Sequence, residues 1–200
     1  MSVNISLNYQ LIIKILGVIT LILGISKLPA LACAWFYQEP DNFRALLISA
    51  AATILLGALI TLFVRPAQSR FRAREGYLVV ALCWVVASLL GTLPYYLSDF
   101  TCSFIDGFFE STAGFTTTGC TAIGERIMPK SLMMWKAISH WLGGMGILVF
   151  VISILPTLGI NGQMIIRAEA PGPVLEKTTV RISDSAKILY LTYISLTVLE

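Results

Sequence analysis

Thr116, Thr117, Thr118, Gly119 and Cys120 are the residues of this chain whose types and spacing could do chemistry. An extended threonine-glycine backbone can turn its carbonyl oxygens inward to replace the hydration shell of a cation, and threonine hydroxyls can add an oxygen at the strip's inner end. Gly119 allows backbone angles that a side chain would forbid. The backbone of Thr117, Thr118 and Gly119 would hold the ion. Taken alone, three threonines and a glycine fit a polar loop outside the membrane equally well, so the decision rests on the elements around them.

The strip lies between two long apolar segments, residues 76–98 and 131–158. It follows a semi-apolar run, 103–112, that is too short to cross a bilayer. Backbone outside a helix or sheet is tolerated at membrane depth only where it lines a wet cavity or packs in protein. The order span, half-helix, strip, span therefore reads as a pore loop. In the half-helix Asp106 and Glu110 stand at i and i+4 as pore-helix and vestibule acids. Its C-terminal end points toward the bilayer centre, where carbonyl dipoles favour a cation. Gly114 is expected to release this helix. Glu110 either pairs within the protein behind the strip or faces the vestibule. Thr117-Thr118-Gly119 matches the Thr-Val-Gly core of potassium-channel filters.

Composition agrees with a membrane setting. Hydrophobic residues make up 56% of the 200 and charged ones 12%, with a mean hydropathy of +0.81. The fold class this implies is an all-α polytopic membrane protein, with the lipid bilayer as its first partner. A net charge of +3 without a basic block gives no nucleic-acid partner. Four cysteines without C-x-x-C spacing point to neither a zinc nor a redox site, and a Cys33–Cys102 disulfide is left open.

The spans orient themselves by charge. Residues 12–36 form a first span, interrupted in composition by Lys27 and Pro29 and read as retained rather than as a signal peptide. It ends in Trp35-Phe36-Tyr37, a run suited to the membrane interface. Residues 43–64 form the second span, with Ala50, Ala51, Ala52 and Gly57 for close helix approach. The loop 65–75 carries Arg65, Arg70, Arg72 and Arg74 and is read as cytoplasmic. The N-terminus is then cytoplasmic and the strip is entered from the outer face, where Asp99, Asp106, Glu110 and Glu125 outnumber Arg126 and Lys130. Residues 159–187, with Arg167, Lys177, Arg181 and Lys187, return to the cytoplasm. A short interfacial helix is expected over 160–169, and a new apolar run opens at 188.

Three further features invite a role. Lys27 either snorkels, has a buried partner, or lies near an ion path. Gly143, Gly144 and Gly146 serve close helix packing or a hinge. His140 has no serine, cysteine or carboxylate beside it at helical spacing and reads as a hydrogen-bonded packing residue. Nucleophile-elbow, zincin and phosphate-loop patterns are absent, so no catalytic residue and no enzyme are expected.

Three stretches carry a resemblance: Ser111-Thr112-Ala113-Gly114-Phe115-Thr116-Thr117-Thr118-Gly119, His140-Trp141-Leu142-Gly143-Gly144-Met145-Gly146, and Arg167-Ala168-Glu169-Ala170-Pro171-Gly172-Pro173. In order and spacing they resemble the Trk/Ktr/HKT superfamily of potassium transporters, most closely its TrkH/TrkG branch, over essentially all 200 residues. The resemblance implies an N-terminal helix pair (1–64), a basic loop (65–75), a first membrane–pore–membrane repeat (76–158), a cytoplasmic connector (159–187) and the truncated start of a second repeat (188–200). It implies potassium as the ion, the filter glycine at Gly119, and a place in the bacterial inner membrane with the pore loop facing the periplasm. It also implies a homodimer and a cytoplasmic nucleotide-binding regulatory ring as partners, with 159–187 part of that contact. One strip is one of about four walls that such a filter needs. The chain is therefore expected to be the N-terminal portion of a potassium-uptake subunit. A homotetrameric one-repeat cation channel and a non-conducting fragment or assembly partner are the alternatives.

Overall fold

Asn8 starts the first helix by accepting a hydrogen bond from the Leu11 amide through its side chain, at 3.2 Å. Helix α1, Tyr9–Ile25, then presents Leu11, Ile12, Ile15, Ile19 and Leu23 along one buried stripe. The computed structural model describes residues 8–64, 73–101, 103–122, 127–146 and 181–199. Over these the chain is helical, and no strand occurs among the described residues.

The expected first span is two helices rather than one. Helix α1 stops at Ile25 and α2, Leu28–Phe36, restarts with Pro29 in its first turn. Proline lacks the N–H that a continuous helix would need there. The Ser26 hydroxyl bonds back to the Leu23 carbonyl at 2.8 Å, which caps the break. Trp35, Phe36 and Tyr37 are exposed at the end of α2, as an interfacial belt requires.

Helix α3, Pro40–Phe63, buries mainly small residues together with Leu46, while Ala51 and Ala52, expected at a close helix approach, are exposed. Ala45, Ser49, Ala50, Thr53 and Gly57 face inward, while Leu55, Leu59, Leu62 and Phe63 are exposed. This inversion of the water-soluble pattern belongs to a helix whose outer solvent is lipid. A side chain on Gly57 would meet the backbone of Leu21 at 2.5 Å, so α1 and α3 pack nearly backbone to backbone. Helix α4, Ala73–Leu97, sets Val79, Cys83, Ala87 and Tyr95 on its buried face.

Tyr9–Phe36, Pro40–Phe63 and Gly76–Leu97 are each long and apolar enough to cross a membrane. At ~1.5 Å per residue α3 alone reaches ~36 Å. Helix α5, Phe104–Phe115, has 12 residues and cannot cross. Helix α6 covers Lys130–Gly144, and α7 covers Arg181–Leu199. Helix α5 packs between α4 and α6, and α2 packs on α6 and α3. Residues 147–158 of the expected fourth span, the interfacial segment 160–169, and Arg65, Arg70, Arg72 and Cys102 lie outside the described residues. Helix α7 begins at Arg181, seven residues before the apolar run that suggested it.

Candidate functional site

The half-helix is α5, and it is longer than its apolar pattern suggests. Ser103 is its N-cap, with an extended backbone and a side chain that accepts from the Asp106 amide at 3.2 Å. Asp106 sits in the first turn, where a carboxylate favours the positive end of the helix dipole. Gly114 does not release the helix, which runs through Phe115. Its role is steric: a side chain there would meet Ser139 of α6, with Cβ at 3.2 Å.

The helix ends in a Schellman turn. Thr118 donates from its amide to the Ala113 carbonyl and Thr117 to the Gly114 carbonyl, both at 3.0 Å. The residue in the left-handed position is Thr117, with φ of 55°, where glycine is usual. A β-branched residue there is strained by about 1–3 kcal/mol, a level found where surrounding structure imposes it. Gly119 also has a positive φ, 76°. The carbonyls of Thr112, Ala113 and Gly114 accept from the strip's own amides, so the last turn of α5 is capped by the strip.

Thr116, Thr117, Thr118, Gly119 and Cys120 are all exposed, as are Thr121 and Ala122. The Thr116 hydroxyl donates to the Thr112 carbonyl at 2.8 Å and lies 2.7 Å from the Thr118 hydroxyl. Nothing stands within 4 Å of the place a Gly119 side chain would take, so glycine is required there by the backbone and not by crowding.

Glu110 is resolved in favour of pairing behind the strip. Its side chain is fully buried and forms an ion pair with Lys136 of α6 at 2.7 Å. The other oxygen accepts from the Thr121 hydroxyl and from the Ala122 amide, the latter at 2.7 Å. Glu110 is thus removed from the group of vestibule acids, while Asp106 stays half-buried at the helix's N-terminal end. Burial with a counter-ion is the condition under which a carboxylate is tolerated at this depth.

The incoming end of the strip is fixed by contact. Phe115 is fully buried, and its ring meets Trp135 edge-on at 6.1 Å between centroids. A Cβ on Gly91 of α4 would lie 2.7 Å from that ring, and one on Gly143 would lie 2.7 Å from the Phe115 carbonyl carbon. Gly144 stands against the Tyr193 hydroxyl of α7 at 2.7 Å by the same measure. Gly146 has φ of 63° just past the end of α6. Gly143 and Gly144 are packing positions, and Gly146 is a turn.

The remaining candidates divide. His140 places Nδ1 2.9 Å from the Lys136 carbonyl, a bond within its own helix that fits a packing residue. Cys33 is a free thiol. No group of histidine, cysteine and carboxylate side chains able to hold a metal ion occurs among the described residues. Two anchors had no local signal in the sequence. Lys136 lies 26 positions from Glu110. Glu39, between α2 and α3, accepts from the Lys130 amide at 2.9 Å, the Ser131 amide at 3.3 Å and the Ser131 hydroxyl, and so caps α6 from 91 positions away. The α2–α3 turn and the start of α6 therefore share one side of the bundle.

Residues 43–200 match the family model TrkH, described as cation transport protein. The chain is 36% identical to the Trk system potassium uptake protein TrkH of Halomonas elongata over 195 residues, which is 96% of this chain and 40% of that protein. It is 28% identical to the Trk system potassium uptake protein TrkG of Escherichia coli over 189 residues, covering 93% of this chain and 39% of the other. The crystal structure of the potassium transporter TrkH from Vibrio parahaemolyticus aligns with a TM-score of 0.75 at 31% identity, over 96% of this chain and 38% of that one. The chain thus spans about 40% of the length of the curated relatives it matches.

Proposed function

This chain belongs to the TrkH family of cation transport proteins, and we propose that it supplies one of four selectivity-filter segments of a potassium-uptake transporter in the bacterial inner membrane. The observation that carries the proposal is the unit formed by α5 and the strip: a helix too short to cross and buried at its C-terminal end, followed by an exposed backbone whose φ turns positive at Thr117 and again at Gly119. In a regular strand successive carbonyls face opposite sides. Reversing φ at alternate residues brings neighbouring carbonyls toward one side, which is the arrangement that replaces a cation's water. The exposed side of the strip is where three further segments would converge.

In this reading residues 1–64 are an added helix pair, 76–158 the first membrane–pore–membrane repeat, 159–187 a cytoplasmic connector and 188–200 the start of the next repeat. The N-terminus is cytoplasmic and the strip faces the periplasm. Glu39 capping α6 supports the α2–α3 turn and the pore loop lying on one side. Potassium is the transported ion and not a resident cofactor. A homodimer and a cytoplasmic regulatory subunit complete the proposed assembly, with 159–187 as the contact to that subunit.

The test is Gly119→Ser in the intact transporter, read as relative uptake of potassium and sodium. A side chain at φ of 76° displaces the backbone although space is open, so discrimination falls about tenfold or more, equivalent to about 1.4 kcal/mol between the ions. Unchanged relative uptake overturns the filter assignment.

A further inference from the structure

Lys27 is fully buried, at the break between α1 and α2, and among the described residues its ammonium has no carboxylate beside it. It donates instead to three neutral oxygens: the Ser49 hydroxyl at 2.7 Å, the Thr53 hydroxyl at 2.9 Å and the Leu90 carbonyl at 3.0 Å. The last of these has a specific cause. Pro94 stands inside α4, four residues after Leu90, and has no N–H to give to that carbonyl. An orphaned backbone acceptor in a lipid-surrounded helix must find another donor. The Lys27 ammonium is that donor, reaching from the N-terminal helices to the turn of α4 that Pro94 leaves one bond short.

The same ammonium stands 5.6 Å from the centre of the Trp135 ring, within cation–π range. Trp135 donates its indole N–H to the Gly91 carbonyl at 3.1 Å, one residue beyond Leu90. Its ring then meets Phe115, whose own ring sits on Gly91. Phe115 is the last residue of α5 and Thr116 is the first of the strip. Four fully buried contacts thus connect a charge on the N-terminal pair to the entry of the strip. A lysine whose only duty was to be tolerated would pair with a carboxylate or extend toward water. This one bonds α3 through Ser49 and Thr53, α4 through the Leu90 carbonyl, and faces the Trp135 ring of α6.

We propose that Lys27 is a positioning residue for ion selection: its ammonium holds the turn of α4 before Pro94 and the Trp135 ring in the places that seat Phe115, so the N-terminal helix pair sets the strip's backbone. The inference rests on the filter reading above. It concerns a cation held by three oxygens, so a free ammonium of matching length should replace the tethered one.

The experiment measures potassium-to-sodium uptake ratios in the intact transporter for the natural protein, Lys27→Gly, Thr53→Val and the control Ile19→Ala. Ile19 is equally buried in α1, and its hydrocarbon side chain gives no hydrogen bond to the Lys27 ammonium. Lys27→Gly, supplied with n-butylammonium, regains the atoms it lost. The expected result is a several-fold fall in the ratio for Lys27→Gly, restored at least halfway by butylammonium, and an unchanged ratio for Ile19→Ala. If Lys27→Gly fails to insert, Thr53→Val, which removes one bond from the ammonium, must by itself lower the ratio. An unchanged ratio in the variant that inserts, a fall that butylammonium leaves in place, or an equal fall in Ile19→Ala overturns the inference. A natural protein without potassium preference overturns the filter reading and this inference with it. A selective natural protein with an equally selective variant overturns this inference alone.

Discussion

Phe115, where the chain enters the strip, is held by shape, whereas Thr121 and Ala122, where it leaves, are held by charge. The entering end sits fully buried between Gly91, Trp135 and Gly143, with no room for a methyl group at either glycine. The leaving end is exposed and has Glu110 as its anchor, itself neutralised by Lys136. Burial can fix a residue only where there are neighbours on every side. An exposed segment bordering an open face has none, so it depends on hydrogen bonds to a buried charge, which are shorter and stronger than neutral ones. The contrast explains why a carboxylate stands behind the strip and not in front of it.

The charge end gives the largest expected effect. Glu110→Gln leaves Lys136 without its counter-ion and weakens the bonds to the leaving limb. Removing one partner of a buried pair costs about 3–5 kcal/mol, and the partial exposure of Lys136 places this case near the lower figure. Unfolding of the detergent-solubilised transporter measures it. A loss below about 1 kcal/mol, the range of surface pairs, would break the contrast between the two ends.

Gly143→Ala tests the other end. The added Cβ would press on the backbone of Phe115, which cannot swing aside as a side chain could. Overpacking of this kind costs about 1–3 kcal/mol. Gly91→Ala should cost less, because its nearest neighbours are the Ser111 hydroxyl and the tip of the Phe115 ring. Repeating the Gly143→Ala unfolding measurement at high and low salt sharpens the comparison. The shape-held end should lose the same amount in both, and a salt-dependent loss would place charge at the entering end as well.

How far these ends were legible in the sequence follows from the range of the interactions. The long apolar runs of α3 and α4 announced themselves, as did a helix too short to cross and the threonine-glycine strip after it. Those are local patterns of length and polarity. Gly114 misled because a glycine near a helix end looks like a terminator. Ser139, 25 residues later, needs the missing side chain instead. Lys27 was visible as an anomaly, but its partners on α3, α4 and α6 are a product of packing. Glu110 could be seen to have two fates. Choosing between them required the position of Lys136, which no spacing rule supplies.

Glu39 extends the comparison to the helix on which both ends depend, since α6 carries Gly143, Trp135 and Lys136. Like Glu110 it is a carboxylate bound to α6, but it lies between the spans and accepts from backbone amides and a hydroxyl, with no counter-ion among the described residues. Burial pushes its carboxyl up, yet bonds from the Ser131 hydroxyl, the Asn42 amide and the amides of Lys130 and Ser131 outweigh this and hold it below the usual carboxylate range. A group with a depressed folded pKa contributes stability that is fully present above its unfolded pKa, about 4.3 for glutamate, and is lost as pH falls through the folded value. Glu39→Gln should therefore lower stability by about 1 kcal/mol at neutral pH, the size of a lost helix cap. The gap in unfolding temperature between the natural protein and Glu39→Gln should hold steady down to about pH 5 and close at lower pH. A gap that persists below the folded value would mean that shape and not charge holds α6 at its N-terminal end. The leaving limb would then be the one place near the strip where charge decides.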